Sequence, residues 1–286
     1  MTIGQNAAAA KAVLLAAAVL ATPTHAWAGP ADTYYERAFV VAADARCNLF
    51  APNLEAALTA ATAQARGAAL RSGAREGELA AVAARARSRA GAVSCADPEL
   101  ATVRARVDGA FSGWLRTTRI TFPGAERPWT ANRLSSTEAA WRLQQMSSVG
   151  ASPVAFGYAG KGETPGLTAV VSFVGRSRPY AARVVLRDPG RIPRPWLGGD
   201  GLVPASARAS LWATGVSPAE PTLLAEGRAA GEAWRFPDAT AAALERLDPR
   251  ETFAVEFHFR DGSVATAKFE AGDFAAGRAF LAMGML

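Results

Sequence analysis

The chain has 286 residues, half of them hydrophobic and a fifth charged, with a formal net charge of +6. That balance excludes a disordered chain, a collagen-like chain and a small disulfide scaffold, and it allows one compact unit or two modest ones with a sizeable core. Alanine supplies 68 residues and Arg outnumbers Lys 28 to 3, a bias of genome composition rather than of function.

Residues 1–28 read as a secretory signal peptide. Lys11 supplies the positive charge, Ala12 to Ala21 is a ten-residue apolar run, and Ala26-Trp27-Ala28 has the small-x-small cleavage pattern. The run is too short to span a hydrocarbon layer of about 30 Å as a helix, and no later stretch reaches about 18 apolar residues. The mature chain is therefore expected to begin at Gly29, to lie in the periplasm or outside the cell, and to have no transmembrane span. It keeps 30 basic against 25 acidic residues. Export argues against nucleic acid as the partner of that excess. The anionic partners beyond the cytoplasm are cell-envelope glycans and lipid headgroups, with an envelope protein as the other expectation. The plainer reading is Arg scattered over a solvated surface.

The mature chain contains only Cys47 and Cys95. An even count in an exported protein predicts a disulfide between them, closing a loop of about 49 residues worth roughly 4 kcal/mol in the chain-entropy picture. Two Cys and one remaining His do not make a zinc site, and there is no C-x-x-C redox motif.

Residues 29–122 read as a helical bundle. Tyr35, Phe39 and Ala42 give a first amphipathic stretch from about 32 to 48. Leu54, Leu58, Ala61, Ala65 and Ala69 mark a second, ending near Ser72-Gly73. Leu79, Val82, Ala83 and Ala86 mark a third, from about 75 to 90. Asp97 as N-cap and Pro98 at the first helical position start a fourth, with Leu100, Val103, Val107, Phe111 and Trp114 in its stripe. The Ala-rich faces of the second and third are thin, so the Cys47–Cys95 staple is expected to hold that hairpin against the bundle.

Residues 123–150 read as a linker. Phe122-Pro123-Gly124 and Arg127-Pro128-Trp129 are loop chemistry. Ser135 and Glu138 resemble a capping box ahead of a short helix from Ala139 to Met146. From 151 to 286 the period changes from 3.6 to 2, which predicts a small antiparallel β-rich module. Leu167 to Val174 and Tyr180 to Leu186 read as a hairpin pair. Phe253, Val255, Phe257 and Phe259 form one strand face ahead of an Asp261-Gly262 turn, with Thr266 expected opposite Phe257 and Ala265 opposite His258. Asp238 and Asp273 are expected to cap two short helices. The fold class expected is thus α+β.

Chemistry is sparse. His258, the only mature His, shares a strand face with Glu256 and Arg260, and no nucleophile is expected opposite it. There is no nucleophile elbow or S-x-x-K. Gly157 to Gly166 lacks phosphate-loop spacing and reads as a hairpin loop. No cofactor or metal motif is found, and catalytic residues are not assigned. The remaining signal is Arg beside aromatics in irregular segments: Arg187, Arg191, Arg194 and Trp196 in the long connection 187–210, and Arg127 with Trp129. Arg forks bind carboxylate and phosphate, and Trp stacks on sugar faces.

Ala241 to Leu247, Phe253 to Phe259, Val264 to Phe269 and Gly272-Asp273-Phe274-Ala275-Ala276 follow one another in an order that resembles the C-terminal part of the invasion-associated locus B family, exported alphaproteobacterial proteins with an antiparallel β fold. The resemblance covers about a third of the chain and implies a non-catalytic envelope or host-facing accessory protein. The expectation is an exported, non-enzymatic cell-envelope binding protein with an anionic glycan or lipid headgroup as ligand. The rival class is an envelope hydrolase acting on glycan or peptide, for which a deep cleft holding Glu256 and His258, or two facing carboxylates, is the expected sign.

Overall fold

The computed structural model describes residues 29–162, 165–198 and 201–286; the signal segment read at 1–28 lies outside them. Four helices come first: α1 (Pro30–Cys47), α2 (Pro52–Arg71), α3 (Glu76–Ala92) and α4 (Pro98–Leu115). Sheet follows: β1 (Arg119–Phe122), β2 (Trp129–Asn132), β3 (Ala140–Val149), β4 (Ser152–Gly160), β5 (Gly166–Val171), β6 (Ala181–Arg187), β7 (Arg208–Trp212), β8 (Gly215–Pro218) and β9 (Glu232–Arg235). Then come α5 (Asp238–Leu244), β10 (Thr252–His258), β11 (Val264–Glu270) and α6 (Phe274–Leu281). The chain is α+β.

The helices start where local chemistry allows. Pro sits in the first turn of α1, α2 and α4, where a missing N–H costs nothing. The Asp97 carboxylate accepts the Glu99 N–H at 2.8 Å, and Glu78 accepts the Arg75 N–H at 2.9 Å. α1 packs on α2 and α3, and the small faces of Ala65 and Ala69 let Tyr34, Leu70, Leu79 and Val82 fill the space between. Cys47 and Cys95 are bonded, with Cα atoms 5.5 Å apart. The bond joins the end of α1 to the turn before α4, beside a second small cluster of Ala43, Leu49, Ala90 and Leu100.

The strands form two antiparallel sheets, in the orders β1-β2-β3-β4-β5-β9-β8 and β11-β10-β6-β7. Their facing sides share an aromatic core. Phe156 lies 5.3 Å from Phe253, 5.5 Å from Phe269 and 5.9 Å from Phe236, ring to ring. Where β11 meets β3, the buried Gln145 side chain completes the join. Its Oε1 accepts the Glu270 N–H at 2.8 Å and its Nε2 donates to the Glu270 carbonyl at 3.3 Å, as a neighbouring strand would. α6 lies against β1, β2 and β3 on one side and against α2 on the other.

Two features dock the helices. Leu54, Ala57 and Leu58 of α2 belong to the aromatic core. At the other end of α2, Arg71 donates to both carboxylate oxygens of Asp273, at 2.6 and 2.9 Å. Gly67 makes this approach possible, since a Cβ there would stand 2.0 Å from Asp273 Oδ1.

Several expectations are corrected. The stretch 123–150 carries β2 and all of β3, and the short helix expected from Ala139 to Met146 is a strand over Ala140–Val149. Leu143 and Gln145 alternate into the interior, and pairing with β4 overrides the helix propensity. Ser135 to Glu138 make a loop, with the Ser136 hydroxyl accepting the Glu138 N–H. β5 and β6 are no hairpin: they belong to different sheets. Phe173 carries the chain across, packing 5.3 Å from Phe257 and 5.2 Å from Phe259; a period of two sets a strand without setting its partner. The β10–β11 register is one residue from the expected one, with Phe257 opposite Ala265 and His258 opposite Val264. Phe259 N–H bonds to the Ser263 carbonyl at 3.0 Å, so the turn holds three residues, with Gly262 at φ 81°. Pro237, not Asp238, stands at the N-cap of α5, and Asp273 makes no cap bond because Arg71 holds its carboxylate.

Candidate functional site

The long connection between β6 and β7 is irregular yet strongly anchored. Arg187, at the end of β6, donates from Nε and Nη2 to the two oxygens of Glu251, at 2.5 and 2.9 Å, with both side chains almost fully buried. Arg187 also donates to the Ile192 carbonyl at 2.7 Å, and Glu251 accepts the Trp196 N–H at 3.0 Å. A buried fork of this kind fixes direction as well as position. The loop therefore folds back over the outer face of the four-stranded sheet at the end where β10 begins, with Gly201 against the Thr252 side chain.

On this loop the other three expected residues fare differently. Arg191 is exposed, donates to the Ser206 carbonyl at 2.8 Å and lies 3.3 Å from Asp188. Arg194 is exposed and its guanidinium has no hydrogen bond or ion pair among the described residues. Trp196 is half-buried, with its indole N–H enclosed and unpartnered. The second expected pair is split. Arg127 is half-buried, and its N–H donates to Glu270. Trp129 is a correction: it is fully buried, donates to the carbonyls of Glu270 and Ala271 at 3.1 and 3.0 Å, and stacks edge-on against Phe274. It shares the inner side of the seven-stranded sheet with Ala131, alternating with exposed Thr130, and no ring face is left for a ligand.

The opposite end of the same outer face carries an aromatic row. Trp212 ends β7 and is 48% exposed; Tyr180, just before β6, is 60% exposed. His258 is near both, its ring 5.2 Å from Trp212 and 6.4 Å from Tyr180. Arg183 sits opposite Trp212 in the ladder with its guanidinium 5.2 Å from the indole. It also donates to Glu256 at 2.8 Å. Arg176, stacked 5.5 Å from Phe259, and Arg260 in the turn after β10 add positive charge at this end.

Trp212 is the functional candidate that the sequence reading passed over. The signal was present: Ala209 and Leu211 pack inward against the main core, so Arg208, Ser210 and Trp212 must face out.

Glu256 and His258 do not form an acid–base pair on this face. They are 3.8 Å apart, and Glu256 is taken by Arg183. Burial, then the Arg183 charge, holds the imidazole pKa below its usual value, against the opposing pull of Glu256. Val264 and Thr266 stand opposite in the register, and the two side chains lie on a sheet face. Among the described residues, no cluster of three or more His, Cys, Asp or Glu is placed to hold a metal.

No family, no curated protein and no solved structure matches this chain.

Proposed function

We propose that this chain is an exported binding protein of the cell envelope, without catalysis of its own, and that it takes an anionic glycan on the outer face of the four-stranded sheet. One observation carries the reading: Trp212, at the end of β7, and Tyr180, whose N–H donates to the His258 carbonyl at 2.9 Å, both stand exposed beside His258. Flat aromatic surface held rigidly is what stacks on a pyranose ring at low entropic cost. Arg260 at this end of the face and Arg191 and Arg194 at the other give it positive charge, which suits an acidic chain of sugars. The apolar run and Ala-Trp-Ala site near the N-terminus support export, as does the disulfide, which is a bond of oxidising compartments. No helix among the described residues is long and apolar enough to cross a membrane. The resemblance of the last third to the invasion-associated locus B family supports the same accessory role.

The test is titration of residues 29–286 with polygalacturonate, neutral dextran and phosphatidylglycerol vesicles. Polygalacturonate should bind, more weakly as salt rises, and Trp212→Ala should lower its affinity about threefold to tenfold. Arg191→Ala/Arg194→Ala should lower it further at low salt. Binding of vesicles alone would assign the face to lipid, and equal binding of dextran would remove the charge from the argument.

A further inference from the structure

The outer face of the other sheet holds a cleft of about 450 Å³, within the ~300–1,000 Å³ of small-molecule sites. Its floor includes Ala159 and Ala233, which pack in one small cluster with Leu223 of the segment that crosses above them. That segment, residues 219–224, is pinned in place. The Thr222 hydroxyl donates to the Ala139 carbonyl at 2.6 Å, the Trp141 indole donates to the Leu223 carbonyl at 3.1 Å, and the Ala219 N–H donates to the Gly231 carbonyl at 2.9 Å. The hollow is thus built and open before any ligand arrives.

Its polar groups converge on one chemistry. Arg235 lines the cleft directly opposite Thr168 in the ladder, and its guanidinium has no hydrogen bond or ion pair among the described residues. Lys161, from the glycine-rich turn after β4, stands at the rim 3.2 Å from Glu220. The Thr168 hydroxyl, buried, spends its proton on the Gly166 carbonyl and keeps its lone pairs for an incoming donor. One uncommitted fork, a second cation, acceptors from Glu220 and Thr168, and an apolar floor together match a ligand with one carboxylate, several hydroxyls and one apolar ring face.

We infer that this cleft is a binding site for a small sugar acid, with Arg235 holding the carboxylate, Glu220 and Thr168 accepting hydroxyls, and the ring lying on Ala159 and Ala233. The inference stands apart from the reading of the four-stranded sheet, because no residue is shared between the two faces.

Calorimetric titration of residues 29–286 with glucuronate, glucose and inorganic phosphate tests it. Glucuronate should bind at one site, and Arg235→Ala should weaken it about tenfold to a hundredfold, the loss expected for a charged hydrogen-bonded fork. Arg235→Lys should restore part of the affinity, Lys161→Ala should cost less, and Arg246→Ala, an exposed change on α5's end, should cost nothing. All three positions are exposed, so these variants should keep the wild-type melting curve. Failure of glucuronate to bind, binding unchanged in Arg235→Ala, or glucose binding as tightly as glucuronate would each overturn the assignment. Phosphate binding as tightly as glucuronate would also overturn it, leaving a plain anion site.

Discussion

The helical and β regions of this molecule solve the same problem with different means. The β region buries large side chains: Phe156, Phe253, Phe257, Phe269 and Trp129 all lie within one core with almost no exposed surface. At about 25 cal/mol per Å² of apolar surface, such residues stabilise their own neighbourhood. The helical region buries mainly Ala, with Tyr34, Leu70, Leu79, Leu49 and Leu100 as its larger contributions away from the main core. It gains less from area, and it is held instead by constraint: a covalent bond at one end and a bidentate ion pair at the other. The difference teaches that an Ala-rich bundle can be kept in place by few fixed points, provided that each lies where the helices would otherwise part.

The largest effect should come from the ion pair of the β region in which both side chains are buried. Arg187→Met leaves the Glu251 carboxylate buried without its cation, at a cost of about 3–5 kcal/mol in urea unfolding. The loop from 188 to 206 should then become the first site of proteolysis. Arg187→Met/Glu251→Leu should recover only part of that, because Glu251 also accepts the N–H groups of Trp196 and Asp248. Full recovery would mean that the pair merely fills space, and that the β region is held by packing alone.

Removing the staple tests the other side. Cys47→Ala/Cys95→Ala should cost about 2–4 kcal/mol, and hydrogen exchange should show protection falling in α1 and α3 before it falls in β4 and β10. Equal loss throughout would show one cooperative unit, and the contrast between regions would fail. A smaller effect, about 1–3 kcal/mol, is expected of Gly67→Ala. Alanine favours the helix by about 1 kcal/mol, but here its Cβ meets Asp273 Oδ1 and pushes α2 away from α6. A more stable variant would show that the docking is loose.

The two regions also differ in how far they can be read from sequence. The four helices and the disulfide were legible because their signals are local: Pro and Asp at starts, apolar residues on a helical period, two cysteines with no other partner. After 151, β5, β6, β10 and β11 were legible for the same reason, and so was the β10–β11 pairing through the Asp261-Gly262 turn. The strands β4, β7, β8 and β9 were not, nor was the partner of β5. Gln145 reads as a polar residue in a helix-prone run, and only the Glu270 backbone it meets, far along the chain, makes it part of a strand. The β5–β6 pairing failed because Phe173 serves a core that neither strand reveals alone. In the candidate sites, Arg191 and Arg194 were found by composition and remain exposed, whereas Trp129 was misjudged because a Pro beside it suggested a loop. Arg235 carried no local signal at all; its freedom is visible only once Ala159 and Ala233 lie beneath it.

The smallest effect expected is a pH dependence confined to the β region, since His258 is the only His among the described residues. Its neighbours are Glu256 on its own strand, Arg183 on β6, Trp212 on β7, Val264 on β11 and Tyr180. Burial and the Arg183 charge favour the neutral ring, so the folded pKa lies below the ordinary value of 6.5. Between those two values the unfolded chain binds more protons than the folded one. The contribution of His258 is therefore complete above about pH 6.5 and is lost as pH falls toward the folded pKa. Glu232 acts in the opposite sense at lower pH, because burial raises its carboxyl above the usual value despite Arg178. Unfolding free energies of the wild type and His258→Gln at pH 7.5 and 5.5 separate the two: the variant should lose less stability on acidification, with the Glu232 contribution common to both. A wild type and variant that lose stability equally would mean that His258 is as easily charged in the fold as out of it, and the aromatic row would be a wetter surface than its packing implies.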